Sequence, residues 1–395
     1  MSTQKEIVII GAGVIGCSIA YHLAKRGVPS VIIERDSIGA RASGKAWAVS
    51  TYPLRYLEME GQPSNQLFSM PEGSMRPWQE LFWSGYHRLP DLVLEIEEKG
   101  SINVGYGELV RIIVAISESE EWDCKEKLSL QRSQGYYETS WLEAEDLRAL
   151  FPDINPRVRG GLAYPAFQVE PYQYTLGLAQ AAEKMGASIR QGEVVGFRHE
   201  GSKLTAVVLA TGTEVKADVV VLAMGPWSGQ GASWLGKELP ILVSREQCLR
   251  VEVSNRLPPY MMTCGVSIVP QVDGSVILGH AGVADPQPGF DSSLTEEAKV
   301  EILNDAIDLL PGLEEAKLIE HRGDLEGWTP APNHIQPVLG LLPEWDNAYI
   351  AARLGTLGMT MSPGVGQVMA DLIIAGGRIP CRIKTMMEVL SPARL

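Results

Sequence analysis

Gly11-Ala12-Gly13-Val14-Ile15-Gly16 is the stretch on which the reading of this chain turns. It follows the apolar run Ile7-Val8-Ile9-Ile10 and opens a segment in which Ile15, Ile19, Ala20 and Leu23 recur at helical spacing. That segment ends at Arg26-Gly27, a basic last turn before a residue that readily adopts the left-handed conformation. A second apolar run, Val31-Ile32-Ile33, then closes on Glu34. Strand, glycine turn, helix, strand and terminal acid are in register for a dinucleotide-binding unit. Gly11 permits the tight turn. Gly13 lets a pyrophosphate approach the backbone at Val14 and Ile15, on the helix N-terminus, and Gly16 lets helix and strand pack closely. Glu34 would bind the ribose hydroxyls of an adenosine, and its charge would repel a 2′-phosphate. An α/β glycine turn with no ligand is the plainer alternative. A secretory signal is not: residues 7–24 hold three glycines and a histidine, and have no basic n-region or small-residue cleavage site.

At 395 residues the chain is long enough for two domains. A net charge of −14 argues against nucleic acid or an anionic membrane surface as a partner. The five cysteines (17, 124, 248, 264 and 381) are odd in number, scattered and without a C-x-x-C, so neither a disulfide framework nor a zinc site is indicated. That usage fits a reducing cytoplasm. The six histidines are equally dispersed, which makes metal chemistry an unpromising reading. No apolar run is long enough to span a bilayer.

Beyond Glu34, the stretch from Arg35 to Gly44 is small and polar. It would wrap the diphosphate side of a long cofactor, with the Ser43 hydroxyl as a donor. Residues 45–165 lose the α/β rhythm. Arg55 to Pro77 reads as a long irregular excursion, Trp78 to Gly100 as a helix broken near Pro90, Glu108 to Ile116 as a strand, and Leu142 to Leu150 as a short helix. The rhythm returns with a helix led by Glu170-Pro171 and stopped at Gly186, then a short strand at 188–190. A β-meander through Lys203–Leu209 and Glu214–Lys216 leads to a buried strand, Val219 to Ala223, that ends in Met224-Gly225-Pro226-Trp227. That strand should lie parallel beside the first unit and end near the dinucleotide, where Gly225 permits close approach; a plain strand-end glycine is the alternative.

From Leu239 to about Arg322 the pattern is that of an antiparallel sheet. Its clearest piece is a hairpin around Asp273-Gly274, and Thr295 to Leu310 forms an amphipathic helix. A strand at 348–352 then leads through a glycine-bearing loop, Arg353 to Met361. After it, Ser362-Pro363 provides an N-cap and first-turn proline for a helix that ends at Gly376-Gly377.

Three pieces together carry a family likeness: the N-terminal unit, the strand end Val221 to Trp227, and the loop Gly355-Thr356-Leu357-Gly358-Met359-Thr360 with its helix. In that order they resemble the D-amino-acid oxidase-like superfamily of FAD-dependent amino-acid and amine oxidoreductases, and the likeness covers essentially the whole chain. It implies FAD bound by Gly11, Gly13, Val14, Ile15, Gly16, Glu34, Arg35, Ser43, Gly44, Lys45 and Ala46 on the AMP and diphosphate side. Val194, Ala223, Gly225 and Trp227 would lie near the adenine half, and Arg353 with Gly355 to Thr360 near the flavin ring. It also implies hydride transfer from a C–H next to nitrogen to flavin N5, giving an imine that water hydrolyses.

This chain departs from the family text at two informative places. Where the family usually places an arginine that holds a substrate carboxylate, the run Arg322 to Pro332 has Glu326, which suits a cationic amine or imino acid better. The loop that usually reads Gly-His-Gly is Arg353-Leu354-Gly355, so Arg353 would replace the missing clamp or else sit in a structural ion pair. Lys45 would modulate the flavin or be simply solvated. Tyr260 and His280 are further candidates for the substrate site, with core packing as their alternative.

The expected fold is thus α/β: a Rossmann-like FAD-binding domain with a β-meander (1–45, 166–238 and 325–395) and an α+β substrate domain with an antiparallel sheet (46–165 and 239–324). The expected function is oxidation of a C–N bond of a small amino acid, imino acid or secondary amine, with oxygen or another acceptor taking the electrons. A flavin-carrying subunit of a hetero-oligomeric dehydrogenase and an NAD-dependent dehydrogenase are the rival readings. Homo- or hetero-oligomeric assembly is left open.

Overall fold

The computed structural model describes residues 5–47, 49–51, 75–133, 137–280, 285–287, 289–330 and 337–395. Strand Ile7–Ile10 lies inside a six-stranded sheet, with Val219–Leu222 on one side and Val31–Glu34 on the other, all parallel. Ser188–Gln191 and Ala348–Ala352 extend it in parallel, and the edge strand Val338–Leu341 runs antiparallel. A parallel sheet of this kind is covered on both faces, which is why Ile7–Ile10 and Val219–Leu222 are apolar without alternation. Successive side chains point to opposite faces. Ile7 and Ile9 join the core under the helices, while Val8 and Ile10 pack with Leu204 and Val207 of the meander. The meander itself, Val194–Glu200, Lys203–Leu209 and Glu214–Lys216, forms a separate antiparallel sheet. This is the expected Rossmann-like domain.

Helices Val14–Ala24, Pro171–Lys184, Met75–Gly100 and Gly358–Ile374 cover the other face. Glu170 caps the second of these, its carboxylate accepting from Gln173 N–H at 2.7 Å. Two helices correct the sequence reading. Met75–Gly100 is one helix through Pro90, with no break there. Leu81, Phe82 and Leu89 before the proline and Leu92, Val93 and Ile96 after it enter the same core. Burial of that continuous face offsets the one hydrogen bond a helix-interior proline removes.

The last long helix starts at Gly358, not at Ser362, and Pro363 lies inside it. Proline has no N–H for the Met359 carbonyl, and Ser362 Oγ donates to that carbonyl instead, at 2.8 Å. Ser362 is therefore a repair within the helix rather than its cap.

The second sheet has ten strands. Leu242–Glu252 pairs on one side with Val276–His280 and on the other with Lys317–Trp328. The expected hairpin is Val266–Pro270 with Val276–His280, turning at Gly274 (φ +91°). Tyr260–Cys264 runs parallel to Gly107–Ala115, a seam that joins residues from before and after the meander into one sheet. Ser140–Glu143 is a strand, so the helix expected over 142–150 begins at Ala144. Glu118–Ser133 is a helix that the sequence reading left out; only Cys124, Leu128 and Gln131 on it are buried, too few to print a helical period. The excursion read over 55–77 lies, up to residue 74, outside the described residues.

Candidate active site

The site begins at the turn between the first strand and the first helix. Gly11 has φ +104°, and a Cβ there would come within 2.5 Å of the Ala223 carbonyl on the neighbouring strand. A Cβ on Gly16 would come within 2.0 Å of the Gly11 carbonyl. Both glycines are thus demanded by the backbone. Gly13 is the helix N-cap and supplies no side-chain cap. Ser43 Oγ accepts from Val14 N–H at 3.0 Å and stands 3.1 Å from where a Gly13 Cβ would be. Glu34 closes the turn from the far side, accepting from Ala12 N–H at 2.7 Å and from Asp36 N–H at 2.8 Å. A carboxylate has about four lone-pair sites, so capacity remains for a hydroxyl.

A single cavity of about 1420 Å³ of empty space, including its opening to solvent, runs over this cradle. Its lining takes in Gly11, Gly13, Val14, Ile15, Glu34, Arg35, Ser43 and Ala46. It continues past Val194, Ala223, Gly225 and Trp227 to Arg353, Gly355, Thr356, Gly358 and Met359. Trp227 forms a platform at one end, with the Arg35 guanidinium 4.2 Å from its ring centroid and Phe290 stacked on it at 5.3 Å. At the other end Gly355 (φ +51°) lies against the indole of Trp328; a Cβ there would come within 2.9 Å of that ring. The helix that begins at Gly358 turns its N-terminus to the cavity and favours negative charge there.

A helix start with glycine as its N-cap, a glycine floor with no room for side chains, and an acid at the end of the second strand fit an adenine dinucleotide stretched along the cavity. Among the residues expected to bind it, Gly16, Gly44, Lys45, Leu357 and Thr360 do not line this cavity. Gly16 and Gly44 allow close packing against the Gly11 and Gly39 carbonyls, and Leu357 and Thr360 are buried.

Arg353 is 5% exposed and adopts φ +60°, a left-handed conformation that is unfavourable for a side-chain-bearing residue. Burial, and then the nearby Arg394, pull its guanidinium down to about 10. Its Nε has no hydrogen-bond partner, and no acid pairs with it among the described residues.

Glu326 also lines the cavity, and with Ala42 and Ala46 it borders a smaller adjoining cavity lined by Lys45, Trp47, Glu246, Cys248 and Asp324. Lys45 Nζ is paired with Asp324 at 2.8 Å, and the Asp324 side chain is fully buried. The Glu246 and Glu326 side chains hydrogen-bond to each other, and Trp328 bonds Glu326. Burial first, then the Glu246 charge, hold Glu326 well above the ordinary carboxylate range, and burial raises Glu246 as well.

Two other candidates lie away from the cavity lining. His280 Nε2 is 2.9 Å from Asp305 on helix Glu296–Leu309. Tyr260 packs edge-on against Phe151, with ring centroids 6.4 Å apart. The sequence reading missed Glu246 and Asp324. The only signal for them was strand alternation, which gains meaning once Glu246 is known to pair with Asp324.

Comparison with known proteins bears on this arrangement. The family model described as FAD dependent oxidoreductase (DAO) matches residues 6–372. The chain is 28% identical over 383 residues to glycine oxidase of Geobacillus kaustophilus, covering 94% of each. It is 26% identical over 425 residues to D-amino acid dehydrogenase of Xanthobacter autotrophicus, covering 95% of this chain and 96% of that one. The crystal structure of glycine oxidase from Bacillus cereus superposes with a TM-score of 0.83 at 26% identity, covering 98% of both chains.

Proposed function

We propose, from the premise that this chain belongs to the DAO family of FAD-dependent oxidoreductases, that it oxidises a C–N bond of a small amino acid, imino acid or secondary amine. The observation that carries this reading is one cavity that joins the dinucleotide cradle to a charged wall bearing Arg353 and Glu326. FAD is the cofactor, and when bound it supplies the acceptor for a hydride from the carbon attached to nitrogen. The chain's own residues bind and orient.

In this reading the Gly13 and Ile15 N–H groups and the Ser43 hydroxyl, itself held by Val14 N–H, hold the diphosphate, Glu34 the ribose, and Val194, Gly225 and Trp227 the adenine end. Gly355, Thr356 and the helix start at Gly358 border the ring, where the helix dipole stabilises negative charge. Arg353, lacking an acid partner among the described residues, acts as the clamp for a substrate carboxylate, a planar donor suited to it. We divide the chain accordingly into an FAD-binding domain (1–45, 166–238 and 325–395) and a substrate-binding domain (46–165 and 239–324). All five cysteines are free, which suits a reducing compartment such as the cytoplasm.

The test follows the flavin absorbance of the purified, FAD-loaded protein without oxygen. Small amino acids, N-methylated amino acids, imino acids and simple amines are added in turn. Bleaching by one class is expected, and readmitted air then distinguishes an oxidase from a dehydrogenase. A yellow protein that nothing bleaches would favour a flavin-carrying subunit instead.

A further inference from the structure

The ribbon formed by Leu242–Glu252 and Lys317–Trp328 turns one face toward segment 42–47. Its register sets Ser244 opposite Glu326, Glu246 opposite Asp324 and Cys248 opposite Arg322. Residues directly opposite in an antiparallel pair share a face. Segment 42–47 is fastened over that face by the Lys45–Asp324 ion pair and by Arg322, which donates to the Ala46 carbonyl at 2.9 Å.

The charges on the face can be summed. Lys45 cancels Asp324, and Arg322 has Glu320 at 3.6 Å. The Glu246 and Glu326 side chains are bonded carboxyl to carboxyl, which requires a proton between them. Among the described residues no cation forms an ion pair with either of them. An acid pair placed here for stability alone would be expected to have a cation, because uncompensated buried charge is costly.

A second and independent feature of the same cavity points to a ligand. Arg353, buried and without an acid among the described residues, lines it together with Glu326. The cavity therefore presents the Glu326 carboxyl, backed by Glu246 from the small adjoining cavity, and a guanidinium without an acid partner among the described residues.

We propose that the Glu246–Glu326 carboxyl pair is the binding site for the positively charged nitrogen of the substrate. The inference rests on reading this cavity as a centre for C–N oxidation. It assigns the substrate class by charge: the nitrogen arrives as a cation and is held by the pair, whether or not the molecule also carries a carboxylate for Arg353.

The experiment uses the FAD-loaded full chain and two inert probes, tetramethylammonium and acetate, titrated calorimetrically. Either single variant, Glu246→Gln or Glu326→Gln, keeps one carboxylate ionised beside an amide donor, so cation binding should stay within roughly threefold of wild type. The double variant Glu246→Gln/Glu326→Gln removes the charge and should bind the cation at least about tenfold more weakly. Glu326→Arg, which pairs with Glu246, should do the same and serves if the double variant loses FAD. Acetate binding should be unchanged in both single variants and in the double variant.

Tight cation binding by the double variant or by Glu326→Arg, with flavin absorbance intact, would overturn the proposal. So would a wild-type protein that does not bind the cation. If the probes behave as expected but no amine ever reduces the flavin, the proposed function fails and the nitrogen site stands.

Discussion

Glu246 and Glu326 show what a single position contributes here. Both carboxyls are raised in the folded chain, chiefly by burial, so the folded state binds protons more tightly than the unfolded one. The stabilisation linked to that uptake is complete below the unfolded value of about 4.3 and is lost as pH rises through the folded values. The pair is therefore a liability at neutral pH. The double variant Glu246→Gln/Glu326→Gln should unfold at higher urea than wild type at pH 8, and the gain should shrink toward pH 4. A gain independent of pH would mean that the pair is not strained by its own charge. The neighbours facing it, Lys45, Asp324, Arg322, Glu320 and Cys248, are unchanged in that comparison. Glu326 could be singled out in the sequence as a departure from a family pattern. Glu246 could not, because it acquires its role only when a strand that follows some seventy residues later lies beside it.

The clearest lesson at the level of elements comes from helix Gly358–Ile374. Ser-Pro read as a helix start is a sound local inference, since proline at the first turn forgoes nothing. Here the Ser362 hydroxyl takes over the carbonyl that Pro363 leaves open, and Tyr174 OH lies 3.0 Å from that same oxygen. The Ser362 hydroxyl proton goes to Met359, so Tyr174 is the donor in the second bond. Ser362→Ala should therefore destabilise the chain by about 1–3 kcal/mol, the range for buried partners left unsatisfied. Urea unfolding measures this, and an unchanged midpoint would show that the helix repairs itself differently. Pro90 teaches the same thing in helix Met75–Gly100. In both, the apolar face extends on either side of the proline, and its burial outweighs one missing bond. A local breaker signal is weaker than a long buried stripe.

For the molecule as a whole, the cofactor cavity should behave as a stabilising ligand site. FAD at about a hundred times its dissociation constant should add about 2.7 kcal/mol to stability, seen as a raised melting temperature. Gly13→Val places its side chain between the helix start and Ser43. It should abolish that FAD-induced rise, and by crowding Ser43 off the Val14 N–H it should also lower the melting temperature of the cofactor-free protein. A full rise in the variant would remove Gly13 from the phosphate cradle.

The parallel core, its glycine turn, the meander and the returning C-terminal strand were all legible in the sequence. Each is set by short-range physics: apolar runs without alternation, obligatory glycines, and capping residues such as Glu170 and Thr295. What only the tertiary structure decided is the register of the ribbon and the seam between Tyr260–Cys264 and Gly107–Ala115. Pairings between strands far apart in the chain depend on side-chain fit over the whole sheet, which no local pattern encodes. That register brings Glu246 to Glu326, where the large cavity meets the small one beside it.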